Sequence, residues 1–153
     1  MIDDLYSSRI LNLAANMPRA GRLAAPQASA EKVSKLCGSR VTVDLALDDE
    51  RVSDFAQDVQ ACALGQAAAA VLGANVMGAS VAEIEQARDA LRAMLKQGGP
   101  PPEGRFSELS VLEQVKDYPA RHASTLLAFE AAAEAARAAS RPMAIRTSRA
   151  GAG

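Results

Sequence analysis

Between residues 59 and 82 the chain carries no charged side chain, and residues 63–77 are apolar almost all the way round, with alanine dominating. A helix without a polar face has to be covered on most sides. That requirement shapes the rest of the molecule, because the flanking segments must supply the cover. Lipid is the other possible cover, and the stretch is long enough to span a bilayer. Gln60, Gln66, Asn75 and Ser80 interrupt it, however, and alanine is a weak membrane residue. The stretch therefore predicts a buried helix of a water-soluble fold, with no transmembrane segment.

The remainder of the chain offers that cover within one domain. At 153 residues it is large enough to bury a core without disulfides or metals. Residues 3–16 place Leu5, Ile10, Leu11 and Leu13 at helical spacing. Pro18 and Gly21 break that helix, and a loop is expected to continue through Pro26 to Ala30. From Arg40 the period becomes two. Val41, Val43, Leu45 and Leu47 fall on one face, with Thr42, Asp44 and Asp48 on the other, as in a half-buried strand. Asp48, Asp49 and Glu50 form a polar turn, and residues 51–60 return as a second strand that alternates poorly.

After the apolar helix, Gly78 is a stop. Ser80 and Glu83 then have capping-box spacing ahead of Ile84, Ala87, Leu91, Met94 and Leu95. Gly98 and the prolines that follow end that helix. Phe106, Leu109, Leu112 and Val115 suggest a short helix. Pro119 opens the last one, which runs to about Ala139 with Leu126, Leu127 and Ala133 inward and Glu130, Glu134 and Arg137 outward. The order predicts an α+β fold, a small antiparallel sheet packed against several helices. Residues 1–139 form the domain. Residues 140–153 form a basic, flexible tail with Arg141, Arg146 and Arg149 placed to bind a partner's carboxylates.

Composition removes several function classes. The formal charge is −1, aromatics are 3% and Trp is absent, which speaks against nucleic-acid binding. No nucleophile triad, phosphate loop or dinucleotide fingerprint is present, so the chain does not read as an enzyme. The start, MIDDLYSSRI, lacks a basic segment followed by an apolar one. With only two cysteines, this points to a reducing cytoplasm.

The two cysteines carry the functional signal. Cys62 stands where the second strand gives way to the apolar helix. At a helix N-terminus the free N–H groups favour a thiolate. As a bland alternative, Cys62 is a small buried apolar residue. Cys37 lies between Lys35 and Arg40, which favour its thiolate, and otherwise reads as an ordinary loop cysteine. His122 is the sole histidine, read as a surface residue or, less readily, a ligand.

Four short motifs then resemble, in order, those of the U-type iron–sulfur cluster assembly scaffolds, the SufU/IscU/NifU N-terminal family. They are Tyr6 with Asn16-Met-Pro-Arg19 and Gly21; Cys37-Gly38-Ser39; Cys62-Ala-Leu-Gly; and Pro119-Ala-Arg121-His-Ala-Ser124. Cys37 and Cys62 stand 25 positions apart, and Cys62 and Ser124 stand 62 apart, which places the chain nearest the SufU branch. The resemblance implies a cluster or metal site at Cys37 and Cys62, with Arg121 and His122 in support. It also implies that Ser39 occupies the place of an aspartate and Ser124 that of a third cysteine, a degenerate ligand set. The implied cargo is a labile iron–sulfur cluster or zinc, or none if the missing ligands are not replaced. The implied partner is a cysteine desulfurase that delivers sulfur to Cys37. The alternative is a docking module, an accessory subunit or assembly factor of a larger iron–sulfur complex such as a respiratory complex, peripheral to a membrane.

Overall fold

A computed structural model describes residues 7–35 and 38–140. Helix α1 (Ser8–Ala15) opens on a Ser7 cap, whose hydroxyl accepts from the Ile10 N–H. Three strands follow: β1 (Ala28–Ser34), β2 (Ser39–Asp48) and β3 (Arg51–Gln60). They pair antiparallel in the order β1-β2-β3. Helices α2 (Ala63–Asn75) and α3 (Val81–Gln97) come next. A 3₁₀ stretch (Gly104–Asp117) and a 3₁₀ turn (Pro119–Arg121) then lead into helix α4 (His122–Ser140). This is the expected α+β arrangement. Among the described residues, no helix is long and apolar enough to cross a membrane.

Helix α2 occupies the place its sequence demands. Residues Leu64, Gly65 and 67–73 are all buried, enclosed by α1, α4, the 3₁₀ stretch and β3. Helix α4 covers the inner faces of β1 and β2, and α3 packs along α4. Phe106 of the 3₁₀ stretch meets Phe129 of α4 edge-on, with ring centroids 5.3 Å apart. Leu109, Leu112 and Val115 are buried beside it, as their spacing suggested. The Ser80 capping box on α3 is formed in both directions. Gly98 ends that helix in the left-handed region at φ 67°, where a Cβ would be strained.

Two features depart from the sequence expectation, and a third accounts for one that it contained. The predicted loop through Ala30 gives way to β1. Its inward positions include the small residues Ala30 and Ser34, because α4 lies directly over them, so no large apolar alternation marks the strand. The second departure concerns Asp44, expected on the solvent face of β2 but fully buried. The chain after α1 folds over that face. Arg22 Nε donates to Asp44 at 2.6 Å, Arg22 Nη2 at 3.0 Å, the Leu23 N–H at 3.1 Å and the Ser29 hydroxyl at 2.6 Å. The third explains why β3 alternates poorly. A register shift at Ala46/Leu47 pairs Leu45 with Phe55 but Leu47 with Val52, which brings Val52 and Phe55, three positions apart, to the same face. The turn at Asp49 and Glu50 is as expected, both residues having positive φ (55° and 64°), the geometry of a two-residue hairpin.

Candidate thiol–hydroxyl site

Three chain segments meet at one end of the sheet. The pairing of Arg40 with Gln60 sets the start of β2 beside the end of β3. Ser39 thereby comes close to Cys62, which caps α2 two residues beyond β3. The start of α4 supplies Ser124. The Ser39 and Ser124 Oγ atoms are 3.2 Å apart, and Cys62 Sγ lies 3.2 Å from Ser124 Oγ. Both serines are buried, while the cysteine is half-buried. A hydroxyl has one proton. When Cys62 is the thiolate its sulfur can only accept, so Ser124 donates to the sulfur and accepts from Ser39.

The close meeting of α2 and α4 depends on Gly65. A Cβ there would stand 2.8 Å from the Ala61 Cβ, 2.9 Å from Ser124 Oγ and 3.0 Å from the Ser124 carbonyl oxygen. Sequence reasoning named this residue only as the last of the Cys62-Ala-Leu-Gly motif and gave it no packing role. The available signal was a glycine inside a run of strong helix formers, three positions after the cysteine.

The surroundings favour the thiolate of Cys62. Burial pushes the thiol up. The Ser124 hydroxyl, the N–H groups of Gly65 and Leu64 and the charge of Arg121 outweigh that effect and bring it below its ordinary value. The sulfur makes no capping hydrogen bond, so those N–H groups act as dipoles at the helix start. Among the described residues no carboxylate pairs with Arg121, consistent with serine at position 39.

His122 is not on the surface. It is buried, and its Nε2 faces the Val115 carbonyl at 2.9 Å and that of Lys116 at 3.3 Å. It therefore ties α4 to the end of the 3₁₀ stretch, with Nε2 committed away from Cys62. The Asn16-Met-Pro-Arg19 motif and Gly21 also hold chain to chain. The Gln57 N–H donates to the Arg19 carbonyl (2.9 Å), the Gly21 N–H to the Gln57 carbonyl (2.8 Å), and Gln57 Nε2 to the Ala69 carbonyl (2.8 Å). Tyr6, Cys37, Arg141, Arg146 and Arg149 lie outside the described residues. Ser140, the expected start of the tail, belongs to α4, and residues 141–153 lie outside the described residues.

Among the described residues the donors are one sulfur and two neutral hydroxyls, which by themselves do not make a closed zinc site or a four-ligand cluster site. Among the described residues no group of three or more His, Cys, Asp or Glu side chains is placed to hold a metal. The site is a thiol with a hydroxyl relay behind it, at the end of a small sheet packed against helices.

Comparison with known proteins places this architecture. The family described as NifU-like N terminal domain matches residues 5–125, and the chain belongs to it. The iron–sulfur cluster assembly scaffold protein IscU of Thermotoga maritima is 28% identical over 138 residues, which cover 90% of this chain and 96% of that protein. The crystal structure of a nitrogen-fixing NifU-like protein (N-terminal) from Brucella abortus is 55% identical with a TM-score of 0.88, covering 90% of this chain and 96% of that one. A putative iron–sulfur cluster assembly scaffold protein for the SUF system from Fervidobacterium islandicum AW-1 shares the fold, with a TM-score of 0.80 at 22% identity over 88% of this chain and 98% of that one.

Proposed function

We propose that this chain acts in iron–sulfur cluster assembly as a scaffold-type carrier whose working group is the Cys62 thiolate. The observation that carries the reading is the convergence of Cys62, Ser124, Ser39 and Arg121 on a thiol held below its ordinary value. It occurs in a chain similar over nearly its whole length to a protein named as such a scaffold. That relative favours the scaffold reading over a docking module or accessory subunit. The cluster, or the sulfur that builds it, is cargo rather than a resident group, and the chain is a carrier rather than a catalyst.

The chemistry available to Cys62 is sulfur acceptance. A persulfide on a cysteine desulfurase presents a terminal sulfane sulfur. The thiolate attacks it, a new S–S bond forms on Cys62, the donor's S–S bond breaks, and the donor leaves as its thiol. Ser124 steadies the attacking thiolate before the transfer, and Arg121 keeps negative charge favourable at the mouth of the site. The role places the protein in the cytoplasm beside the desulfurase.

Intact-mass spectrometry after incubation with a cysteine desulfurase and free cysteine tests this. The wild-type chain should gain sulfur, and Cys62→Ala should lose most of that gain. Cys37→Ala separates the contribution of the second thiol. No added sulfur on the wild-type chain would contradict the reading.

A further inference from the structure

The donor set departs from the family pattern, yet the three segments that carry it still converge. We infer that in this chain the hydrogen-bond relay Ser39–Ser124–Cys62 replaces a bound metal as the cross-link between the starts of β2, α2 and α4, so that the fold stands without metal. The inference rests on the family reading, since that reading is what makes positions 39 and 124 ligand positions.

Geometry and chemistry point in different directions here, and the contrast carries the argument. Tetrahedral zinc with oxygen or sulfur donors at its usual bond lengths sets neighbouring donors about 3.3–3.8 Å apart. The two contacts in this site are 3.2 Å each. These side-chain separations fall just short of that range and at hydrogen-bond length, so the three positions converge as ligand positions would while two of the three atoms are hydroxyl oxygens. Two neutral hydroxyls compete poorly with water for zinc or iron, but they are well suited to hydrogen-bond each other and a sulfur. Both serines are buried and both are satisfied by this relay, so neither hydroxyl is left uncompensated when no metal is present. Gly65 completes the device by letting Ser124 approach the start of α2 at backbone contact.

The relay also joins residues far apart in the chain, as a metal would. Ser39 and Ser124 are 85 positions apart, and Cys62 and Ser124 are 62 apart. In each case a side chain leading a strand or helix is tied to the first turn of α4.

Metal content and thermal melting of the full chain test the inference, with zinc as the probe. The desalted wild-type protein should retain far less than one equivalent of zinc. Its melting temperature should be the same in zinc and in chelator. Ser124→Ala should lower the melting temperature equally in both media. The double variant S39D/S124C, which restores strong donors on the same backbone, should take up one equivalent of zinc. With zinc in about hundredfold excess over its dissociation constant it should melt about 5–10 °C higher than in chelator. A wild-type chain that holds stoichiometric zinc and melts lower in chelator overturns the inference. So does a folded double variant, checked by circular dichroism, that takes up no zinc. Should the double variant fail to fold, the wild-type comparison in zinc and in chelator still decides. A zinc-dependent wild type would leave the scaffold reading intact, and a chain that accepts no sulfur would leave this inference intact.

Discussion

Replacing Gly65 by alanine sets two effects of opposite sign against each other. Alanine is the better helix former, by about 1 kcal/mol in a helix interior and less in the first turn, where residue 65 sits. Against this, the new Cβ would meet the Ala61 Cβ at 2.8 Å, Ser124 Oγ at 2.9 Å and the Ser124 carbonyl oxygen at 3.0 Å. Only the hydroxyl can turn away. The other two atoms are fixed by the backbone of α4 and by the link from β3 to α2. Overpacking of this kind costs about 1–3 kcal/mol. The clash wins, and Gly65→Ala should be destabilised by about 1–2 kcal/mol, a fall of about 2–8 °C in melting temperature. Urea unfolding should show a lower midpoint with an unchanged slope. Ser124→Ala removes one of the three contacts, so in that background Gly65→Ala should cost less, with a coupling of about 0.5–1 kcal/mol. A Gly65→Ala protein as stable as wild type, with strictly additive effects in the double variant, would refute the packing of α2 on α4 described above.

Other perturbations have equally definite outcomes. Alkylation of Cys62 by iodoacetamide should show a pH midpoint below that of a free thiol, and Ser124→Ala and Arg121→Gln should each raise it; an unchanged midpoint in both would remove them as the cause. Asp44→Ala leaves the Ser29 hydroxyl and Leu23 N–H without their buried acceptor and should cost about 2–3 kcal/mol by urea unfolding. The Arg22 guanidinium, helped by Ser29 and Leu23 and opposed by burial, holds the Asp44 carboxyl below the usual carboxylate range. Its contribution is therefore complete above the unfolded-state value of about 3.9 and is lost as pH falls through the lower folded value. Acid titration of stability should accordingly be shallower in Asp44→Ala than in wild type. His122→Ala frees the Val115 and Lys116 carbonyls inside the protein and should cost about 1–3 kcal/mol, without altering Cys62 alkylation.

The sequence made legible those features that depend on local chemistry. The Ser80–Glu83 capping box, the Gly98 stop, the β2 alternation from Val41 to Leu45 and the charge-free α2 each announce themselves, because neighbouring residues alone determine them. The rest depends on what packs against a segment from far along the chain. β1 is hidden because α4 permits only small residues at Ala30 and Ser34, and the burial of Asp44 is imposed by Arg22 and Ser29. His122 looks exposed on a helical wheel, yet it is buried because the preceding 3₁₀ stretch turns its carbonyls toward the ring. At the site, Cys62, Ser39 and Ser124 were found through their motifs, but no local pattern reveals that the two serines hydrogen-bond each other. Gly65 is meaningful only once α4 is seen lying against it.

The central claim is that Cys62 carries material for iron–sulfur cluster assembly. It is tested most directly by the maturation of an apo-ferredoxin-type acceptor supplied with a cysteine desulfurase, free cysteine, ferrous iron and a thiol reductant. Cluster formation on the acceptor is followed by its visible absorbance. The account predicts faster maturation with the wild-type chain than without it, and a return to the unassisted rate with Cys62→Ala. Equal rates with wild type, with Cys62→Ala and with no added chain would contradict it.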